Sequence, residues 1–317
     1  MAKKNTDEFN TLVLDIGNSD LKGEVNGQRF SLASNYSRWG GLRKLELSDV
    51  IAPFGGFAVY DYNNNSAATQ YKFTEVGGNN LLGDGDKLRL YKTIVQGCCG
   101  SVDNDLPWRI VLSYWDRYKL QEPVPLIKGV HSVCVNGKDK EIHIADVHVV
   151  AEGAGADVLY RKDFSGTLTT IDIGYNTLIL RSTSNSGLME HHPEDNHGVR
   201  EIVTSLANSP ALEDLAGGRP TDRAVINAIK NNGVLRSNTM QTPDIDINHL
   251  IKPAVENWMQ GPFFKLLRRY PDEVNQSSAI WLIGGGANLL SSFTEGTNIH
   301  VPEAPEFVNL QGMSLLV

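Results

Sequence analysis

The chain has 317 residues, of which 41% are hydrophobic and 21% charged. That length suits two domains of ordinary size, and the apolar share excludes a disordered chain. A formal charge of -8 excludes a protein that simply coats nucleic acid, since neutralising phosphates needs a basic surface.

The polar leader MAKKNTDEFN has no apolar core of the kind a signal peptide carries. After it, Thr11 to Ile16 (TLVLDI) reads as a buried strand, which breaks at Gly17, Asn18 and Ser19. The chain resumes as a strand over Leu21 to Val25, making a hairpin. Residues 31–86 are rich in Gly, Asn and Tyr and read as an exposed, variable, β-rich insertion. A helix is expected over Lys87 to Cys98, a buried strand over Trp108 to Tyr114, and paired strands from Val133 to Val150 turning near Gly137. The last of these leads into Glu152 and a Gly/Ala-rich helix through Tyr160.

The second half restarts the pattern with a strand at Leu168 to Ile173, a turn at Gly174, Tyr175 and Asn176, and a returning strand from Thr177 to Arg181. Helices are expected over Val199 to Leu206, Asp222 to Lys230 and Leu250 to Tyr270. A buried strand at Ser278 to Ile283 then runs into Gly284, Gly285, Gly286 and Ala287, which open a short helix. Cys98, Cys99 and Cys134 are odd in number and lack a CxxC spacing, so reduced thiols are expected. KLLRR at Lys265 to Arg269 reads as a solvated helix face, not a nucleic-acid patch. No stretch approaches the ~20 apolar residues that span a bilayer. A soluble cytoplasmic protein with no membrane partner is the expectation.

LDIGNSDLKG at Leu14 to Gly23 and IDIGYNTLIL at Ile171 to Leu180 share one pattern: strand, Asp, apolar, Gly, two polar residues, strand. A period this long does not fit a solenoid and points to a duplicated α/β domain. A turn of small residues after a buried strand offers consecutive backbone N–H groups to an anion, and phosphate is the natural guest. The preceding carboxylates, Asp15 and Asp172, repel phosphate unless a hydrated Mg²⁺ lies between, and that cation favours one or two carboxylates with phosphate oxygens. Asn18 and Ser19 can hydrogen-bond phosphate oxygens, and Lys22 can neutralise their charge. The blander reading makes both Asp residues turn caps.

The glycines at 284–286 leave no side chains, so a flat base or sugar can lie against the backbone; the alternative is a tight strand-to-helix connection. The GxxxxGK[ST] and GxGxxG fingerprints are absent at the strand–helix junctions, which counts against a P-loop ATPase and a nicotinamide enzyme. Glu152 can orient a water against a γ-phosphoryl group, or simply favour a helix start. His191, His192 and His197 with Glu194 and Asp195 fit neither HExxH nor a zinc finger, and read as a polar surface loop.

Taken in order, these segments resemble the five nucleotide-site segments of the actin-like ATPase superfamily, and most closely its ParM/StbA-like plasmid-segregation branch. FVNLQGMSLL, with Asn309 and Gly312, is similar to the last of the five. VLSYWDRY at Val111 to Tyr118 and GVREIVTSLA at Gly198 to Ala207 are similar to flanking pieces of that branch. Tyr175 departs from the small residue of many relatives, and VLSYWD lacks the proline expected after its leucine.

The resemblance implies an α/β protein of two actin-like (ribonuclease H-like) domains with a nucleotide cleft between them. Domain I would take residues 1–156 and 301–317, and domain II 157–300. It further implies ATP (or GTP) with Mg²⁺ held by Asp15 and Asp172, Glu152 and Asp172 as catalytic residues, and ATPase activity in a head-to-tail filament for plasmid or DNA segregation. A DNA-bound adaptor protein is the implied partner, with no direct nucleic-acid binding. A small-molecule kinase on the same fold, and a polymerising scaffold with little hydrolysis, remain alternatives.

Overall fold

The computed structural model describes residues 9–17, 19–40, 56–61, 69–74, 79–80, 87–161, 166–184, 186–236 and 244–317, with backbone alone for 33, 35–40, 56–58, 60, 69–74, 79–80 and 87. Asn18, named above, lies outside the described residues. The chain divides into two compact units, residues 1–162 with 307–317, and residues 163–306.

The first unit begins with β1 (Asn10–Ile16), β2 (Asp20–Val25) and β3 (Gln28–Ala33), a meander of antiparallel strands. β2 and β3 are joined by Asn26-Gly27, both at positive φ (48° and 85°), the conformation that matches hairpin turn to strand twist. That dipeptide is a strong hairpin signal, and it makes β3 part of the meander and not of the insertion. β4 (Asn35–Gly40), β5 (Gly56–Asp61), β6 (Thr69–Thr74) and β7 (Asn79–Asn80) follow, then α1 (Lys87–Gly100), β8 (Trp108–Tyr114), α2 (Val124–Ile127), β9 (Gly129–Val135), β10 (Lys138–Ala151) and α3 (Ala154–Tyr160).

One sheet takes these strands in the order β3-β2-β1-β8-β10-β9-β5-β6-β4-β7. The expected exposed insertion is corrected by this pairing. β5 joins β9 directly, and Val59 on it is 1% exposed within the core that also holds Leu90, Ile94 and Val133. The apolar run of β5 is short, and nothing in it shows that its partner is a strand more than 70 residues later in the chain.

The second unit opens with β11 (Thr167–Ile173), β12 (Thr177–Ser184) and β13 (Gly187–Asp195), followed by α4 (Arg200–Ala207), α5 (Pro210–Ala216) and α6 (Asp222–Lys230). β14 (Val234–Leu235) and β15 (Ile245–Asp246) form a small pair before α7 (Asn248–Trp258). α8 (Phe264–Arg269), α9 (Pro271–Asn275), β16 (Ser277–Ile283) and β17 (Ile299–His300) complete it, and the sheet runs β13-β12-β11-β16-β17. α10 (Val308–Met313) returns to the first unit.

The helix expected over Leu250 to Tyr270 runs unbroken from Asn248 to Arg269, with a π turn at Met259–Phe263 between its two α-helical parts. Pro262 sits in that turn, where a missing N–H interrupts the regular ladder. The polar histidine loop is likewise corrected. His191 and His192 lie on β13, an edge strand whose outward face needs no apolar residues, and whose Pro193 is tolerated at an edge. The helix expected after Gly286 is a 3₁₀ helix, Ala287–Phe293.

All three cysteines are buried, and burial pushes the Cys98 and Cys99 thiols well above their ordinary value, which keeps these two inert. Among the described residues, no helix is long and apolar enough to cross a membrane.

Candidate functional site

In the first unit β1, β8 and β10 run parallel, with β8 in the middle. Their carboxyl ends are where an open α/β sheet offers space to a ligand, since the following turns diverge there. Asp15 lies near the end of β1, Ser113 and Tyr114 end β8, and Glu152 follows the last residue of β10. Asp15 is 8% exposed, and the Ser113 hydroxyl donates to its Oδ1 at 2.7 Å. The Glu152 N–H donates to the Tyr114 carbonyl at 3.1 Å. Lys22 stands opposite Asp15 across the β1–β2 hairpin.

Behind this row lies Tyr91, 2% exposed and edge-on to Tyr114 with ring centroids 5.5 Å apart. Burial, and then the negative charges of Glu152 and Asp15, push its hydroxyl well above the ordinary tyrosine value. Tyr91 therefore stays a neutral phenol beside two carboxylates. The turn itself is closed by the Gly17 N–H donating to the Asp20 carbonyl at 3.2 Å, with Ser19 between them. Ser34, fully buried, secures it from outside: its N–H donates to the Ser19 carbonyl at 2.9 Å, and its hydroxyl to that of Gly17.

The second unit repeats the device. Asp172 stands near the end of β11, and the Gly174 N–H donates to the Thr177 carbonyl at 2.9 Å across Tyr175 and Asn176. Here the three turn carbonyls of Gly174, Tyr175 and Asn176 accept from Val199, Arg200 and Gly198 in turn, at 2.8–3.2 Å. Gly198 is a position that the sequence reading left out of the site. A Cβ there would lie 2.5 Å from two of those carbonyl oxygens, so no other residue allows the approach. A lone glycine just ahead of an amphipathic helix was the available signal.

The 284–286 segment joins the same turn. β16 runs parallel to β11, with Asp172 paired to Ile283, and the Gly286 N–H donates to the Ile173 carbonyl at 2.9 Å. Gly284 adopts φ +86°, and a Cβ on it would fall 2.1 Å from Asp172 Oδ1. Nothing lies within 4 Å of a Cβ placed on Gly285, which leaves open space above the backbone, while Ala287 is buried in the core. Tyr175 is half-buried against the same core, and burial raises its hydroxyl, followed by the charge of Asp222.

Taken unit by unit, the donors present suit a divalent cation and phosphate. Each Asp is a hard oxygen donor beside a glycine turn, which is the donor chemistry Mg²⁺ and phosphate need. Asn176 Oδ1 is buried and has no hydrogen-bond partner among the described residues, a cost that a ligand's donor or bound water would remove.

The remaining charged candidates behave otherwise. Arg269 of α8 pairs with Glu194 at 2.7 Å. His191 meets Arg181, His197 meets Glu201, and His192 stacks on Tyr270 with ring centroids 3.8 Å apart. The three histidines do not converge. His192 instead shares a corner with Glu190 and Glu273, ligand-capable atoms within 4.8 Å of one another.

No protein-family model matches the sequence, and no curated protein matches it at a significant level. Solved structures do match its fold. A ParM from a 15-stranded filament of Clostridium botulinum superposes with a TM-score of 0.75 at 17% identity, covering 98% of this chain and 99% of that one. Ta0583, an archaeal actin homologue, gives 0.74 at 15% identity over 97% of this chain and 99% of its own. Its complex with ADP gives 0.71 at 16% identity, covering 96% of this chain and 97% of that one. The chain has an actin-like fold. Its likeness to ParM, over nearly the whole length of both chains, makes that fold one of the ParM type.

Proposed function

We propose that this protein is a nucleotide-dependent, filament-forming actin-like ATPase acting in plasmid or DNA segregation. The observation that carries the reading is the repeated device: in each unit an Asp at the carboxyl end of a parallel strand is followed by a hydrogen-bonded glycine turn. Filament structures of ParM and the ADP complex of an actin homologue support the direction of the proposal.

Asp15 and Asp172 would hold Mg²⁺ through its waters, and Gly17, Asn18, Ser19 and Lys22 would take phosphate oxygens. Gly174, Tyr175, Asn176 and Thr177 would take others, with Gly284, Gly285, Gly286 and Ala287 beneath the adenosine. Bound Mg²⁺–ATP supplies the phosphoanhydride and the charge neutralisation that its cleavage needs. Glu152 would orient the attacking water and accept its proton, a task its place beyond the strand end suits. Head-to-tail association of identical chains is heterologous, and where the rotation does not close it yields a helical filament. A DNA-bound adaptor protein is the proposed partner, because an acidic chain does not itself attract DNA.

Right-angle light scattering with Mg²⁺ and ATP, ADP or neither, with phosphate assayed in parallel, tests this. Scattering that rises with ATP and decays as phosphate appears is the expected result. Phosphate without scattering would favour the kinase alternative, and scattering without phosphate the scaffold. Silence in both channels would refute the reading.

A further inference from the structure

Ser113 ends β8 beside Tyr114, and the two neighbours serve opposite sides of the strand. The Ser113 hydroxyl donates to Asp15 Oδ1 at 2.7 Å, while the Tyr114 carbonyl accepts the Glu152 N–H at 3.1 Å. The middle strand thus holds the Asp15 carboxylate on one side and the Glu152 backbone on the other. Ser113 is 3% exposed and Asp15 8%, so their hydrogen bond is shielded from competing water. A carboxylate held through one oxygen by a fixed donor loses its rotational freedom and presents its second oxygen in one direction.

We infer that Ser113 is a positioning residue, orienting the Asp15 carboxylate for the divalent cation that accompanies the nucleotide. The inference rests on the nucleotide reading proposed above. A hydroxyl that orients a metal-organising carboxylate affects the metal-dependent part of binding, whereas a hydroxyl that merely satisfies a buried acceptor affects folding alone. Outer partners of this kind typically contribute about 10–100-fold to metal affinity. The missing proline in VLSYWD then has a chemical meaning in this chain: proline has no hydroxyl to give Asp15.

The test compares ATP affinity in Mg²⁺ with ATP affinity in EDTA, by calorimetric titration of the full chain. Wild type, Ser113→Ala, Ser113→Thr and Asp15→Ala are measured, each with a melting curve taken without nucleotide. Wild type binds more tightly in Mg²⁺, and Asp15→Ala abolishes that gain. Ser113→Ala loses about tenfold of it while its affinity in EDTA stays within about twofold. Ser113→Thr, which keeps a hydroxyl, restores it. A Ser113→Ala protein with the full Mg²⁺ gain, or with equal losses in Mg²⁺ and EDTA, overturns the positioning role alone. A wild type that binds no ATP, or binds it regardless of Mg²⁺, overturns the proposed nucleotide site together with it.

Discussion

At the level of single residues, the first unit concentrates its chemistry at the ends of three strands. Asp15 and Glu152 both press charge on Tyr91, and burial keeps that phenol neutral. The proposed function gives the attacking water to Glu152, whose backbone N–H donates to the Tyr114 carbonyl just past the end of β10. Glu152→Ala should slow phosphate release by about 10²–10⁴-fold with nucleotide affinity little changed. Single-turnover phosphate assays beside binding titrations check this, and unchanged turnover removes Glu152 from the role. Asp15, Glu152 and Asp172 were legible as candidates because each stands at or just past the end of an apolar strand, within two residues of a glycine. Ser113, Tyr91 and Gly198 were not. Their contacts join distant parts of the chain, or, for Gly198, depend on a backbone approach that its one local sign, a glycine ahead of an amphipathic helix, does not specify.

Among the elements, α3 and α10 cross backbone against backbone. Asn309 Oδ1 accepts from the Gly155 N–H at 2.8 Å, and a Cβ on Gly312 would stand 1.6 Å from the Gly155 carbonyl oxygen. The clash is with backbone, so no rotamer relieves it. Gly312→Ala should therefore lower unfolding stability by about 3 kcal/mol or more. Urea denaturation reads this directly, and an unshifted midpoint would mean the helices separate at no cost. Asn309 and Gly312 stood out through their resemblance to a known helix, not through periodicity. Strands β1, β8, β11 and β16 were readable within a residue or two, since buried parallel strands are near-continuous apolar runs. β13 was hidden because an edge strand with an exposed face carries polar residues at will.

For the whole molecule, a ligand that binds only the folded chain stabilises it by mass action. At about 100 times its dissociation constant, Mg²⁺–ATP would add about 2.7 kcal/mol. For a chain of this size that corresponds to a rise in melting temperature of about 5 °C, removed by chelating the Mg²⁺. Differential scanning fluorimetry with ATP, with and without EDTA, measures it. A melting point indifferent to Mg²⁺–ATP would count against a nucleotide site. The sequence by itself determined the duplication, the two Asp–Ile–Gly turns and the α/β class, because strand burial and turn chemistry are local and leave a pattern in consecutive residues. Only the tertiary structure decided that the 31–86 region joins the main sheet through β5, that Ser113 meets Asp15, and that Gly198 and Gly284 close on the second turn. Those outcomes depend on which strands become neighbours and on how near two backbones can come, and both are settled when the core packs.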